Sequence, residues 1–179
     1  VRLTGGRHLP AEGFQPVPDA DARALDPAAR PHVRQIDLKA LGLSDFGEVG
    51  EPGRQCELFC DVTPLPLARW PNDGFATVAD VLSEQPITVH NIQGDAVGNL
   101  VYEGERPARW AAELDHLRLH GYWFWDWADA YARVAAIDSA RRLIRLAPPY
   151  HNYGYRKGQR FYALNLLCEL DQPGEWFLD

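Results

Sequence analysis

WADAYARVAAIDSARRLIRL, residues 127–146, can be read in two ways, and the choice separates a helical chain from one built of strands. Trp127, Tyr131, Val134 and Asp138 recur at helical spacing, and the run is rich in Ala and Arg, both strong helix formers. The same residues also divide into YARVAAI and RLIRLA, two short runs with Asp138 and Ser139 as turn residues between them. Pattern and propensity alone lean to the helix and leave the hairpin open.

Outward from this stretch, short strands dominate. LRLHGYW (117–123) and QRFYALNLL (159–167) read as strands, and PGEWFLD (173–179) as an extended end. ITVHNI (87–92) and NLVYEG (99–104), with GDAVG between them, read as a hairpin. Pro64, Pro66 and Pro71 forbid a helix through LPLARWPNDGF and favour edge or irregular extended chain. Further upstream, QCELFCDV (55–62) and the alternating HVRQIDL (32–38) are strand candidates, separated by a loop marked by Gly42, Gly47, Gly50 and Gly53. Residues 19–30 suggest two helical turns, the second with Asp26 as N-cap and Pro27 at its first position. Residues 1–6 look like a strand end running into a Gly-Gly turn, and no internal repeat or low-complexity tract is present.

The chain has 179 residues, 46% hydrophobic and 24% charged, which suits a globular domain with a real core and not a disordered one. Its mean hydropathy is -0.34, and no apolar run reaches the roughly 18–20 residues of a membrane span. A formal net charge of -7 is the wrong sign for phosphate-driven binding, so neither nucleic acid nor an anionic membrane is an expected partner. The chain starts at Val1 and contains no Met, so it reads as a piece of a longer protein. On one extended strand, Cys56 and Cys60 stand about 13 Å apart, beyond disulfide reach. With Cys168 distant in sequence, no disulfide framework is expected.

Candidate chemistry gathers late in the chain. In an extended HGYWFWDW, Trp123, Trp125 and Trp127 share one face at spacings of about 6–7 Å, a ladder that either packs on the body or stacks on sugar rings. Glu113, Asp115, Asp126 and Asp129 lie near it, and a glycosidase needs a carboxylate pair about 5–10 Å apart. Tyr150, His151, Asn152 and Tyr153 follow two prolines as a polar, aromatic loop tip, with Arg156 and Lys157 close behind. His116 and His120 are four apart, but on an extended segment and without an HExxH pattern, so no metal is expected. Nucleophile elbows and phosphate-binding glycine loops are absent, and no cofactor is implied.

Four segments, VRLTGG, ELFCDVTPLPLARWPNDGF (57–75), RPARWAAELDHLRLHGYWFWDWAD (106–129) and APPYHNYGYRKGQRFYALNLLCELDQPGEWFLD (147–179), together resemble the insertion domain of right-handed parallel β-helix proteins similar to glycoside hydrolase family 141. The resemblance implies a mainly β fold: a compact β-sandwich or barrel-like insertion module with a few short helical turns, flanked by strand ends belonging to the β-helix. Residues 1–19 would then close a β-helix coil and enter the module, 20–170 would form it, and 171–179 would return the chain to the β-helix. It also implies two strands across 127–146, turning at residues 138–141. Trp70 would pack inward at a rigid turn, and Trp176 would anchor the returning strand. The parent would be a secreted or periplasmic enzyme acting on plant-wall polysaccharide, with its catalytic carboxylates on later coils outside this chain. The module would border the substrate cleft without being catalytic alone, or else only pack on the β-helix. Trp123, Trp125, Trp127, Asp126, Tyr150, His151, Asn152, Tyr153 and Arg156 are the carbohydrate-contact candidates, with Arg156 and Lys157 facing the carboxylates of an acidic glycan.

Overall fold

In the computed structural model, which describes residues 5–51 and 53–179, the stretch 127–146 is an antiparallel hairpin and not a helix. Numbered along the chain, β1 (Gln15–Pro16) pairs with β2 (Arg34–Gln35), and β3 (Leu58–Cys60) with β4 (Thr63–Leu65). There follow β5 (Arg69–Trp70), β6 (Ala76–Thr77), β7 (Asp80–Val81), β8 (Pro86–Val89), β9 (Ile92–Asp95) and β10 (Asn99–Val101). The last four strands are β11 (Arg118–Tyr122), β12 (Asp129–Asp138), β13 (Leu143–Leu146) and β14 (Arg160–Leu164). Helix is confined, among the described residues, to α1 (Asp19–Ala22) and to 3-10 turns at Ala11–Gly13, Arg106–Ala112 and Leu167–Glu169.

The alanines that favour helix by propensity serve here as the small residues of a strand. Ala130 and Ala132 pack against the core that holds Trp123, Val134 and Phe161, while Arg133 between them and Val134 is exposed. Small inward residues leave room for large rings, and pairing on both flanks supplies the backbone partners that a lone helix would have supplied itself. At the turn the Asp138 carboxylate accepts from Arg141 N at 3.0 Å, and Arg142 takes a left-handed φ of 52°.

The main sheet runs β5–β14–β11–β12–β13–β10–β7, with β6 also on β14 and neighbouring strands antiparallel. β6 and β7 belong to one stretch of chain. Ala76 pairs with Phe161, Val78 N donates to Gln159 O at 2.7 Å, and Ala79 N then donates to Val101 O at 2.9 Å on the opposite end of the sheet. One stretch therefore joins both ends, and the sheet closes in the manner of a barrel, leaving little free edge. Leu100, Leu119, Trp123, Val134, Ile144 and Phe161 fill the interior. The indole of Trp123 lies over Gly121, where an added Cβ would sit 2.8 Å from the ring.

Several expected elements fall elsewhere. ITVHNI and NLVYEG do not pair: β8 turns at His90 and Asn91, with φ of 49° and 64°, into β9, and β10 lies between β13 and β7. Two successive left-handed residues suit the twist of a two-residue hairpin turn, and Asn tolerates that conformation well. HVRQIDL keeps only Arg34–Gln35 as strand, and QCELFCDV only Leu58–Cys60, because each pairs with a single short partner outside the main sheet. Cys56, Cys60 and Cys168 are free thiols. Asp26 does cap the second turn near the start, its carboxylate accepting from Ala28 N at 2.9 Å. The strand end expected over residues 1–6 lies mainly outside the described residues.

Trp70 packs on the core with its ring 5.5 Å from that of Trp110. PGEWFLD is extended but pairs sparingly, through a parallel bridge from Trp176 to Leu67, and the Trp176 indole donates to Leu65 O at 2.9 Å. No described helix is long and apolar enough to cross a membrane.

Candidate functional site

Antiparallel closure gathers three connections at one rim: residues 123–128 after β11, residues 147–159 after β13, and the β8–β9 hairpin ahead of β10. The hairpin docks on the 147–159 loop through paired backbone bonds between Asp95 and Tyr155, at 2.8 and 2.9 Å. The approach is close enough to require glycine at 154, where φ is 75° and a Cβ would lie 2.5 Å from Asp95 O. The buried Asp95 carboxylate accepts from Gln85 N at 2.6 Å and Val97 N at 2.7 Å, which fixes the base of the hairpin.

The tryptophan ladder does not form. Phe124 O accepts from Arg156 Nε and Gln159 Nε2, both at 2.6 Å, and Phe124 is drawn wholly inside, so the chain leaves β11 at Tyr122 and bends. Trp123 is buried, its ring centroid 5.7 Å from Tyr155 and its Nε1 donating to Ala130 O at 2.9 Å. Trp125 is half-buried between Phe124 at 4.9 Å and His90 at 6.0 Å. Trp127 is the bare one of the three, 68% exposed.

The loop tip supplies its neighbours. Tyr153 meets Trp127 edge to face at 5.3 Å, His151 lies 5.7 Å from Tyr153, and Tyr150, Asn152 and Tyr153 are exposed. Arg156 donates through its Nε to Phe124 O and is half-buried; Lys157 pairs with Asp80 at 3.5 Å, and Asp126 with Arg160 at 2.6 Å. Burial holds the His151 imidazole below the usual histidine range, against opposite pulls from a Gly154 backbone bond and Asp129, so the ring is neutral at pH 7.

Tyr155 braces this loop, its phenolic oxygen accepting from His151 N at 2.9 Å. Burial pushes the phenol up to about 12. Because the folded value lies above the unfolded one near 10, this contribution is intact below pH 10 and disappears as pH rises toward 12. Unfolding free energy measured by urea titration is expected to fall across that window, and to fall less in Tyr155→Phe. An equal alkaline slope in both proteins would show that Tyr155 carries none of it.

Sequence reading missed the outer face of β14, β11 and β12. Tyr162, His120 and Tyr131 form one cross-strand row, with the His120 ring 4.9 Å from Tyr162 and 4.7 Å from Tyr131. His120 Nε2 lies 2.8 Å from Asp129 Oδ2, and its buried Nδ1 has no hydrogen-bond partner among the described residues. Arg69 lies 4.0 Å over the Tyr162 ring, and Arg160 4.0 Å over Tyr122. Two hollows flank Tyr131. One, of about 200 Å³, is lined by Pro66, Leu67, Arg69, Tyr162 and Leu164. The other, of about 210 Å³, includes Glu48, Arg118, Arg133, Pro148 and Pro149 in its wall. Alternation in RLHGY and RFYAL already turns Arg118, His120, Tyr122 and Tyr162 outward, but the register that aligns them is not written in either strand.

Among the described residues no three His, Cys, Asp or Glu side chains are placed to hold a metal ion. His116 packs edge-on to Phe177 at 5.4 Å, away from His120's partners. Of the weighed carboxylates, Glu113 accepts from the backbone of Leu167 and Cys168, Asp126 holds Arg160 and Asp129 holds His120. No protein-family profile, curated protein or solved structure matches the chain.

Proposed function

We propose that this domain is a non-catalytic, glycan-contacting module of a larger carbohydrate-active protein. The observation that carries the reading is the exposed Trp127–Tyr153 pair on a rim braced from below, with Tyr150 beside it. Rigid aromatic rings offer large apolar contact at low entropic cost, and sugar rings present apolar faces of matching width. The row of Tyr162, His120 and Tyr131 extends the same chemistry down the outer face, with Arg69 and Asp129 as polar groups that can orient hydroxyls. On the resemblance to family 141 β-helix insertion domains, the parent is a secreted or periplasmic glycoside hydrolase acting on plant-wall polysaccharide. Its strand ends flank this module, and its catalysis lies elsewhere.

Tryptophan-fluorescence titration with pectic, xylan and fucosylated oligosaccharides tests the reading. A saturable change with one class is expected, and Trp127→Ala should weaken binding about five- to tenfold, the worth of one aromatic contact. No response to any of them would overturn it. A second reading, a structural module that only packs on the β-helix, draws on Phe59 and Val62 at the tip of β3–β4. They are 51% and 72% exposed, and the hairpin they cap also holds the C-terminal Trp176. In that case the unaltered chain would itself give flat titrations with every oligosaccharide.

A further inference from the structure

Arg118 and Arg133 are directly opposite each other on β11 and β12, on the outer face of the barrel. Like charges facing across a ladder repel, and such a pair persists where an anion lies between them. Here that anion is Glu48, whose carboxylate pairs with Arg133 and lies 3.5 Å from Arg118. The neighbouring Glu51 is taken by Arg54 at 3.3 Å and Asp115 adds its charge near Arg118 alone, so Glu48 is the carboxylate that bridges the two guanidinium groups. Arg118 is the deeper of the two, its side chain 12% exposed against 59% for Arg133, and it also donates to Asp115 O and Leu117 O.

Glu48 belongs to no strand and is carried across the sheet face on a short glycine-flanked strap. Gly47 and Gly50 have φ of 69° and 85°, and a Cβ on Gly50 would come within 3.0 Å of the Tyr131 side chain. The hollow beneath is walled by Tyr131, Pro148 and Pro149 as well as by both arginines. At about 210 Å³ it is smaller than the roughly 300 Å³ of a drug-sized site, a scale that suits one ring.

We propose that the Arg118–Arg133 pair is a carboxylate-binding site for a uronic acid residue of an acidic glycan, and that Glu48 occupies it as a built-in competitor. This rests on the glycan-contacting role above and assigns its substrate class. The carboxylate seated there is that of Glu48 in the chain itself, the same group that a uronic acid carries. Two guanidinium groups can grip both oxygens of a planar carboxylate, and Tyr131 and the prolines offer apolar flanks to the ring that bears it. Entry of the sugar displaces Glu48 and lifts the strap.

The test is a calorimetric titration of the 179-residue chain with hexagalacturonate and with neutral xylohexaose, in low and moderate salt. Glu48→Gln is expected to tighten hexagalacturonate binding about tenfold, as loss of one charged competitor should, while xylohexaose is unaffected. Gly50→Ala, which crowds Tyr131 and opens the strap without changing charge, should shift the acidic ligand the same way. Arg133→Ala should abolish the preference for the acidic ligand, and salt should weaken binding of that ligand alone. If Glu48→Gln and Gly50→Ala both leave hexagalacturonate binding unchanged, or if Arg133→Ala keeps the preference, the proposal is wrong. Binding of xylohexaose alone would sink it and leave the glycan-contacting role standing, whereas binding of neither ligand would remove both.

Discussion

Arg106→Ala is expected to lower the unfolding free energy by about 3–5 kcal/mol, the usual cost of leaving one buried ion without its partner. Glu169 is completely buried, and Arg106 grips both its oxygens, Nε lying 3.0 and 2.8 Å from them. The same guanidinium reaches Asp171 at 2.9 Å, and the buried Trp110 donates its Nε1 to Glu169 at 2.7 Å. This network ties the Arg106–Ala112 turn to the Leu167–Glu169 turn beyond β14, at the end of the barrel opposite the aromatic rim. Arg106→Lys keeps the charge but loses the two-pronged grip and should fall between the wild type and Arg106→Ala. Urea unfolding reads both, and a loss under about 1 kcal/mol for the alanine variant would mean that water or relaxation replaces the pair.

A second large effect separates two tryptophans that lie four residues apart. Trp123→Ala should cost about 3–5 kcal/mol by emptying a cavity under Tyr155 and Phe161, while Trp127→Ala should stay within about 0.5 kcal/mol because its ring stands in solvent. For oligosaccharide binding the order reverses at a temperature where both variants are folded: Trp127→Ala loses affinity, and Trp123→Ala keeps it. Equal stability losses at the two sites would contradict the bend at Phe124 on which the rim depends.

That bend shows where sequence reading stops. HGYWFWDW is locally compatible with a straight strand, and its aromatic density is plain in the sequence. The acceptor role of Phe124 O, which turns the chain, depends on Arg156 and Gln159, more than thirty residues downstream. No window of local periodicity contains them. The surface hollows were hidden for a similar reason: Glu48 meets Arg133 and Arg118 across distant parts of the chain, in a contact that exists only once the strap crosses the sheet. The loop tip at 150–153 was legible because two prolines, polar residues and aromatics mark an exposed turn by themselves.

Local chemistry in the sequence determined that the chain is mainly β, that Asp26 caps a turn, that prolines keep 64–71 extended, and that cysteine spacing favours no disulfide. These depend on the dihedral preferences and reach of residues close together. For residues 127–146 the local pattern left helix and hairpin open, and the hairpin that the resemblance implied is the one formed; only the tertiary structure decided that β8 pairs with β9, and that Trp123 is buried while Trp127 is bare. Ala and Arg lean to helix locally, and partners that folding brings together override that preference. β11 and β13 supplied those partners on both sides of β12, and the burial of its small residues against large rings fixed the rest.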